Sequence, residues 1–310
     1  MPIVQLDQIR KQYGTKVAVE GLSLNIEPGS MFGLLGPNGS GKTSTIRMMI
    51  GMTVPDSGGV SLFGQPFSRQ HLARVGFLPE ERGLYKKMKV LDQLVFLGRL
   101  HGLDAATAKS RSVAWCERLQ IADTLQKKTE ELSKGMQQKI QFIAALLHDP
   151  DLIIMDEPFS GLDPVNAQLL MDVLIDQRTQ GKAILFSTHR MDQVERFCDS
   201  IALLSRGKLL LSGSMREIKS MYPRNRVEMI FTGDESFLDH PSVESYRLYE
   251  DGAELKLHEG KESRCVLRHA LEHGTDIVRF EVMEPTLEEI FIEHVKASFG
   301  DADNGGAVDA

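Results

Sequence analysis

A glycine-rich segment from Gly36 to Thr43 restricts the fold of this chain more strictly than its composition does. It has the spacing G-x-x-x-x-G-K-[ST] and lies between an apolar run, Ser30–Leu35, and a segment with helical periodicity. Glycines allow the backbone to turn tightly, so that successive N–H groups point inward at a helix N-terminus and bind an anion. A glycine-rich turn can match this spacing by chance. The flanking strand and helix instead favour a strand–loop–helix unit that binds a nucleoside triphosphate.

The residue types of this loop predict a contact set for ATP and Mg²⁺. The Lys42 side chain is long enough to reach the β- and γ-phosphates, and the Thr43 hydroxyl is a suitable magnesium ligand. The predicted nucleotide-binding residues of the loop are Gly36, Pro37, Asn38, Gly39, Ser40, Gly41, Lys42, Thr43 and Ser44.

Two acidic residues follow a second apolar strand, Leu152–Met155. Asp156 stands where a second magnesium partner is expected, at a strand end beside the phosphate loop. Glu157, one residue further and turned the other way, is the candidate base that accepts a proton from the attacking water. An acidic pair opening a turn at Pro158 is the alternative, and the phosphate loop makes it the weaker one.

A histidine, His189, follows the strand predicted at Ala183–Phe186. A single histidine after a strand is usually structural. This one follows the strand after the acidic pair, so it is expected at the same sheet edge, within reach of the γ-phosphate.

A serine and a glycine, Ser133 and Gly135, precede an apolar helix at Ile140–Leu147. Ser133 is a candidate helix N-cap. The same helix end also offers free N–H groups and a positive dipole to a phosphate, and both interpretations can hold at once.

Periodicity divides the chain into regions. Strand-like and helix-like segments alternate through the first two-thirds, which predicts an α/β domain over residues 1–220 with a helical subdomain at about 91–147. A hairpin is predicted where Ser205-Arg206-Gly207 joins two apolar strands. After a boundary near 221–225, short strands and two helices predict a compact α+β domain at 225–296. The tail, 297–310, lacks periodicity and is predicted to be disordered.

Composition and charge narrow the class of protein. The content of 42% hydrophobic and 25% charged residues is typical of a globular protein. The formal net charge of −7 argues against nucleic acid as a partner. No apolar run reaches the roughly 20 residues of a membrane span, and the N-terminus does not resemble a signal peptide. Three cysteines without CxxC spacing predict reduced core thiols in a cytoplasmic protein.

Together these segments resemble the ATP-binding subunits of ABC transporters over roughly residues 3–213. The family signature LSGGQ is found here as Leu132-Ser133-Lys134-Gly135-Met136, and the D-loop as 160–163. The resemblance implies a P-loop NTPase fold, adenine stacking on Tyr13, and a switch role for His189. It also implies a homodimer that sandwiches two ATP molecules, in which Ser133 and Gly135 face the phosphate loop of the second copy.

Two departures from the family pattern stand out. Lys134 and Met136 replace the usual Gly and Gln of the signature, and Glu80 replaces the usual Gln of the Q-loop. A carboxylate can still ligate Mg²⁺, so Glu80 is a predicted metal ligand whose extra charge affects binding or turnover. The segments 78–85 and 284–291 resemble a bacterial exporter branch that includes sodium-efflux and drug- or antibiotic-resistance ATPases.

The leading hypothesis is a Mg²⁺-dependent ATPase subunit that powers export through a separate membrane permease, on the cytoplasmic face of the cell membrane. A soluble ABC ATPase acting on nucleic acid, and an ATP sensor without catalysis, are the alternatives.

Two smaller features have their own alternatives. Lys86 to Lys89 form a solvated loop or a permease contact, and His269 and His273, four apart, lack an evident third metal ligand.

Overall fold

The structure is a computed structural model that describes residues 1–81 and 83–299, without the side chains of 295–299. It divides into two compact units, the first ending at Met215. From residue 300 onward, the tail predicted to be disordered lies outside the described residues, while 297–299 are helical. No helix in the described part of the chain is long and apolar enough to cross a membrane.

The first unit contains two sheets and their connecting helices. Its strands are β1 Val4–Tyr13, β2 Lys16–Ile26, β3 Met31–Leu35, β4 Ser57–Leu62, β5 Gln65–Pro66, β6 Val75–Leu78, β7 Leu152–Asp156, β8 Ala183–Thr188, β9 Ser200–Ser205 and β10 Lys208–Ser214. Its helices are α1 Lys42–Met49, α2 Val90–Leu100, α3 Ala105–Arg118, α4 Lys134–Leu146, α5 Pro164–Thr179 and α6 Met191–Phe197. The helix α7 Met215–Ser220 follows.

The larger sheet carries the segments that the sequence predicts to form the nucleotide site. Its strand order is β10-β9-β3-β8-β7-β6, parallel from β9 to β6, with β10 antiparallel at one edge. Strands β3 and β7 are buried at every position. Burial on both faces explains their unbroken apolar sequences, because helices or a second sheet cover each side of a parallel sheet. The carboxyl ends of β3, β7 and β8 therefore lie side by side, as the sequence predicts.

A smaller antiparallel sheet has the order β2-β1-β4-β5. The pairing of strands β1 and β2 continues past several register shifts and ends with Tyr13 opposite Lys16. Apolar side chains from this sheet, from α1 and from the larger sheet share one buried core. That core fixes α1, and with it the phosphate loop, between the two sheets.

The hairpin predicted at Arg206-Gly207 is present. Strands β9 and β10 pair with Ser205 opposite Lys208, and Arg206 and Gly207 have φ angles of 49° and 79°. Two positive φ values match the twist of the flanking strands, which is why tight hairpins favour such turns. This turn contacts the phosphate loop, since the Gly207 N–H donates to the Ser40 carbonyl at 3.0 Å.

The region between β6 and β7 contains the helices α2, α3 and α4. Asp104 caps α3 by accepting hydrogen bonds from the N–H groups of Ala106 and Thr107. Ser133 caps α4 by accepting from the Met136 N–H at 3.3 Å, so the helix begins at Lys134, before the predicted apolar segment Ile140–Leu147. Such caps satisfy backbone donors that have no partner inside the helix.

The second unit is an α+β structure with its own core. Its remaining elements are β11 Arg226–Thr232, β12 Val243–Leu248, β13 Gly252–Leu257, α8 Ser263–Glu272, β14 Asp276–Met283 and α9 Leu287–Phe299. The antiparallel sheet has the order β12-β13-β11-β14. Alternate residues of β11 and β13 pack with α8 in this core, among them Val227, Met229 and Leu255.

The prediction that all three cysteines are core thiols is wrong for one of them. Cys116 and Cys198 are buried, and burial raises the pKa of the Cys116 thiol to about 12. Cys265 is exposed, because it lies on the solvent side of α8. The amphipathic pattern of α8 is consistent with that position.

Candidate nucleotide-binding site

The structure brings most of the predicted site residues into one cleft of about 340 Å³ in the first unit. The residues that line it are Tyr13, Lys16, Ala18, Asn38, Gly39, Ser40, Gly41, Lys42, Thr43, Ser44, Glu80, Asp156 and Glu157. Volumes of about 300–1,000 Å³ are typical of small-molecule sites. The lining includes the aromatic side chain of Tyr13 and the carboxylates of Glu80, Asp156 and Glu157.

Lys42 is the buried cation of the cleft, with 6% of its side chain exposed. Its Nζ donates to the Gly36 carbonyl at 2.7 Å and to the Pro37 carbonyl at 3.2 Å, and lies 3.9 Å from Glu157 Oε1. Burial lowers the pKa of Lys42, while the charges of Glu157, Asp156 and Glu80 oppose that shift. Gly36 and Pro37 therefore act here as hydrogen-bond acceptors for the lysine.

Asp156 and Glu157 extend from the end of β7. Asp156 is 2% exposed, and its Oδ1 accepts a hydrogen bond from the Ser187 hydroxyl on β8. The Glu157 N–H donates to the Ser187 carbonyl at 3.2 Å and lies 3.1 Å from its hydroxyl oxygen. Ser187 thus fixes both acidic residues at the junction of β7 and β8.

The expectation that Glu157 turns away from Asp156 is wrong, because both residues line the same cleft. Alternation of side chains holds only along extended backbone. Glu157 has a φ of 49°, in the left-handed region, so the strand has already ended at this residue. A non-glycine residue held there costs free energy of order 1–3 kcal/mol and is typical of functional sites.

His189 contacts Glu157, as its position after β8 predicts. Its Nδ1 lies 3.0 Å from Glu157 Oε1. A carboxylate only accepts hydrogen bonds, so Nδ1 carries the proton and donates. The imidazole orients the glutamate, and 55% of the histidine side chain remains exposed beside the cleft.

The phosphate loop has the properties of an anion cradle. A Cβ atom on Gly36 would lie 2.2 Å from the Leu204 carbonyl oxygen, and one on Gly41 would lie 2.5 Å from the Ala18 carbonyl oxygen. The Ser40 hydroxyl is buried, and no described residue gives it a hydrogen-bond partner. Helix α1 begins at Lys42 without an acidic residue in its first turn. These features fit a bound phosphate, which supplies the missing acceptor.

The donor set beside the loop fits Mg²⁺. Thr43, Asp156 and Glu80 line a second, adjoining pocket of about 270 Å³. Within the described residues there is no cluster of three or more His, Cys, Asp or Glu side chains arranged to hold a metal without help. Magnesium typically binds one or two carboxylates together with substrate phosphates and water, so such a cluster is not required.

Five predicted site residues are not among the described lining residues of the cleft. Three of them adjoin it, because Gly36 and Pro37 bond to Lys42 and His189 contacts Glu157. The other two lie elsewhere. The described lining of the cleft includes neither Ser133 nor Gly135, which occupy the N-terminal end of α4. An added Cβ on Gly135 would meet only the Leu162 side chain, at an ordinary 3.5 Å. Their positions leave both residues available to a second copy of the chain, the arrangement that the family resemblance implies.

Four contributors to the site were not identified from the sequence. Lys16 and Ala18 line the cleft, Ser187 binds the acidic pair, and Gly207 donates to Ser40. Ser187 stands beside the predicted His189, so its place at a strand end was a usable signal. Gly207 gave no such signal, because its contact depends on the pairing of β9 with β3.

Comparison with known families agrees with this geometry. Residues 19–160 match the family described as ABC transporter, and residues 213–295 match the C-terminal domain of DrrA1-3-like ATP-binding proteins.

Individual relatives match nearly the whole chain. It is 44% identical over 299 residues to YhaQ, an uncharacterized ABC transporter ATP-binding protein of Bacillus subtilis, covering 96% of this chain and 100% of YhaQ. It is 31% identical over 304 residues to the linearmycin resistance ATP-binding protein LnrL of the same organism, covering 94% of this chain and 97% of LnrL. A solved ATP-binding subunit of an ABC transporter has a TM-score of 0.66 at 29% identity, covering 71% of this chain and 92% of that one.

The chain therefore belongs to the family of ABC transporter ATP-binding subunits. Subunits of this family bind ATP with Mg²⁺ and hydrolyse it, and as dimers they power transport through separate membrane permease subunits. The predicted fold class, ATPase activity and exporter-type family are confirmed at this level.

Proposed function

We propose that Lys42 and Thr43 bind the phosphates and metal of MgATP, that Asp156 and Glu80 complete the metal site, and that Glu157 is the catalytic base. The convergence of these side chains in one cleft carries the proposal. Tyr13, which lines the same cleft, is the adenine contact. The backbone of 36–41 and the Ser44 hydroxyl surround the phosphate chain.

Each of these residues has a separate role in the proposed hydrolysis. Lys42 exchanges the carbonyls of Gly36 and Pro37 for phosphate oxygens, which are stronger acceptors because they are charged. Glu157 accepts the proton of the attacking water, and His189 holds its carboxylate in place through the Nδ1–H donor. When bound, Mg²⁺ neutralises charge on the β- and γ-phosphates.

The complete site is shared between two copies of the chain. Each copy supplies the phosphate loop and Glu157 at one site, and Ser133 with Gly135 at the other. The capped N-terminus of α4 supports this role, because its free N–H groups and dipole attract a phosphate. ATP binding then closes the dimer, and hydrolysis reopens it.

A permease docks on the first unit beside the segment that follows Glu80. An apolar cavity of about 370 Å³ opens there, lined among others by Ile50, Met52, Leu72, Phe77, Leu84 and Leu97. Lys86 and Lys87 are exposed and follow Leu84 of this lining shortly after in sequence, so their positive charge belongs to the proposed docking surface. The subunit therefore works on the cytoplasmic face of the cell membrane. The similarity to LnrL, named for linearmycin resistance, supports export.

The domain assignment is part of the proposal. Residues 1–220 form the ATPase domain, with the helical subdomain at about 91–147, and 225–296 form the accessory domain. The separate core of the second unit supports an independent folding unit there.

A mixing experiment tests the shared site. Lys42→Met removes the phosphate contact but keeps the α4 end, whereas Gly135→Asp places a repelling carboxylate at α4 but keeps the phosphate loop. The space around Gly135 accommodates a side chain, so this variant is expected to fold. Each variant alone is expected to be inactive. In a mixed dimer one site regains both intact halves.

An equal mixture is expected to recover about a quarter of wild-type activity, because half of the dimers are mixed and each has one complete site. The recovery is also expected to vanish on dilution, together with the dimer. A mixture that stays inactive while the dimers form would contradict a shared site. Full activity of either variant alone would contradict the role of its residue.

A further inference from the structure

Helix α4 carries two buried glutamines on one face. Gln138 is 4% exposed and Gln141 is 6% exposed, and their spacing of three residues places them side by side. Gln138 Nε2 donates to the Pro158 carbonyl at 3.0 Å, one residue after Glu157. Gln141 Nε2 donates to the Glu81 carbonyl at 3.2 Å, one residue after Glu80. The helix is therefore bonded to the backbone next to both carboxylates.

Gln141 also faces the apolar cavity that the permease is proposed to occupy. Its Oε1 atom is buried, and no described residue gives it a hydrogen-bond partner. A buried amide with one end bonded and the other end unpaired is costly, because the unpaired oxygen has lost its water. Such a group is expected where a second interaction forms later.

The backbone after β6 separates this cavity from the nucleotide cleft. Phe77, Pro79 and Gly83 line both the apolar cavity and the adjoining pocket of about 270 Å³. That pocket in turn shares Glu80 and Thr43 with the nucleotide cleft. The same short segment is thus a wall of the cavity and the support of a predicted metal ligand.

We propose that Gln141 is a positioning residue that sets where the Glu80 carboxylate lies in the nucleotide cleft, and that it does so from the wall of the apolar cavity. The proposal rests on the nucleotide site proposed above. Its Nε2–H fixes the backbone next to Glu80, and its Oε1, which has no partner among the described residues, is open to a donor from the permease proposed to fill the cavity.

A double-mutant cycle between Gln141 and Glu80 tests this link in the isolated chain. Gln141→Met keeps the side-chain volume but removes the donor, and Gln141→Glu is a second variant that keeps the shape. The readout is the Mg²⁺ concentration that gives half-maximal ATP hydrolysis, measured beside thermal unfolding. Loss of a buried hydrogen bond to the Glu80 segment is expected to raise that concentration about tenfold.

In the Glu80→Gln background the same change is expected to have little further effect, because the two residues act through one group. Gln138→Met is the control, because Gln138 lies on the same face of α4 but bonds to the Pro158 carbonyl and not to the Glu80 segment. Its effect on turnover is expected to be the same in the wild-type and Glu80→Gln backgrounds. A Gln141 effect of equal size in both backgrounds overturns the proposal. So does a folded Gln141→Met chain with a normal Mg²⁺ requirement.

Failure of the nucleotide site itself gives a different result. A wild-type chain that forms the dimer and binds MgATP without hydrolysing it contradicts the proposed base. The same cycle is then measured as the Mg²⁺ dependence of ATP binding, and equal Gln141 effects in both backgrounds still refute the link.

Discussion

Replacement of Lys42 by methionine is expected to weaken ATP binding about 10- to 150-fold. The side chain is 6% exposed, and its ammonium group bonds to Gly36 and Pro37 in the chain without nucleotide. With phosphate present, that group donates to a charged acceptor, an interaction that contributes about 1.5–3 kcal/mol. At about 1.4 kcal/mol per factor of ten, its loss gives the stated range.

Charge adds to the effect in the same direction. Asp156, Glu157 and Glu80 face the cleft with Lys42, so the methionine variant leaves three carboxylates to repel the triphosphate. The assay is calorimetric titration with MgATP at two salt concentrations. The difference between wild type and variant is expected to shrink at high salt, because screening reduces this repulsion.

Lys139→Met is the matched control. Lys139 is also buried, and its Nζ donates to the Leu119 carbonyl at 3.0 Å, but it lies outside the nucleotide cleft. Its replacement is expected to lower the melting temperature and to leave the Kd for ATP unchanged. If a folded Lys42→Met chain binds ATP as tightly as wild type, the assignment of the phosphate loop is refuted.

Three further predictions concern the loop, the histidine beside Glu157 and a buried histidine. Gly41→Ala is expected to cost about 1–3 kcal/mol of folding stability and to remove most of the ATP affinity, because φ is 110° and the added Cβ would lie 2.5 Å from the Ala18 carbonyl oxygen. Thermal unfolding and ATP titration measure the two effects. Gly39→Ala is the milder control, because there is open space around that position. His189→Ala is expected to lower kcat about 100-fold with little change in KM, because Glu157 loses its donor; equal kcat values in steady-state assays contradict this. Burial, and after it the charge of His101, lowers the pKa of His148 to about 4. As the pH falls, the unfolded chain therefore binds a proton at this histidine before the folded chain does. The free energy of unfolding is expected to fall by about 2 kcal/mol between pH of about 6.5 and about 4. Denaturant titrations of His148→Gln over this range should show a flatter profile.

Much of this site could be predicted from sequence because its residues follow strands. The ends of β3, β7 and β8 are adjacent in a parallel sheet, so segments that each end an apolar run were expected to meet. Local chemistry also identified the Ser133 cap and the Arg206-Gly207 turn. Those features depend on a few neighbouring residues and not on the tertiary fold.

The contributors that the sequence did not reveal depend on tertiary packing. Gln138 and Gln141 read as polar positions within a helix, and only the approach of α4 to the segments after β6 and β7 gives them acceptors. The sequence analysis predicted the wrong direction for the Glu157 side chain, because the φ angle of 49° at this residue interrupts the alternation of side chains along the strand. The periodicity of a single sequence contains no signal for one residue in the left-handed region.

Glu157→Gln in the purified chain tests the catalytic assignment most directly. Glutamine keeps an oxygen for the His189 donor but is not a base, so kcat is expected to fall about 10²- to 10⁴-fold while ATP affinity stays near wild type. Sedimentation with MgATP should then show the variant held as a dimer. Hydrolysis at the wild-type rate by this variant would contradict the role of Glu157 as the base.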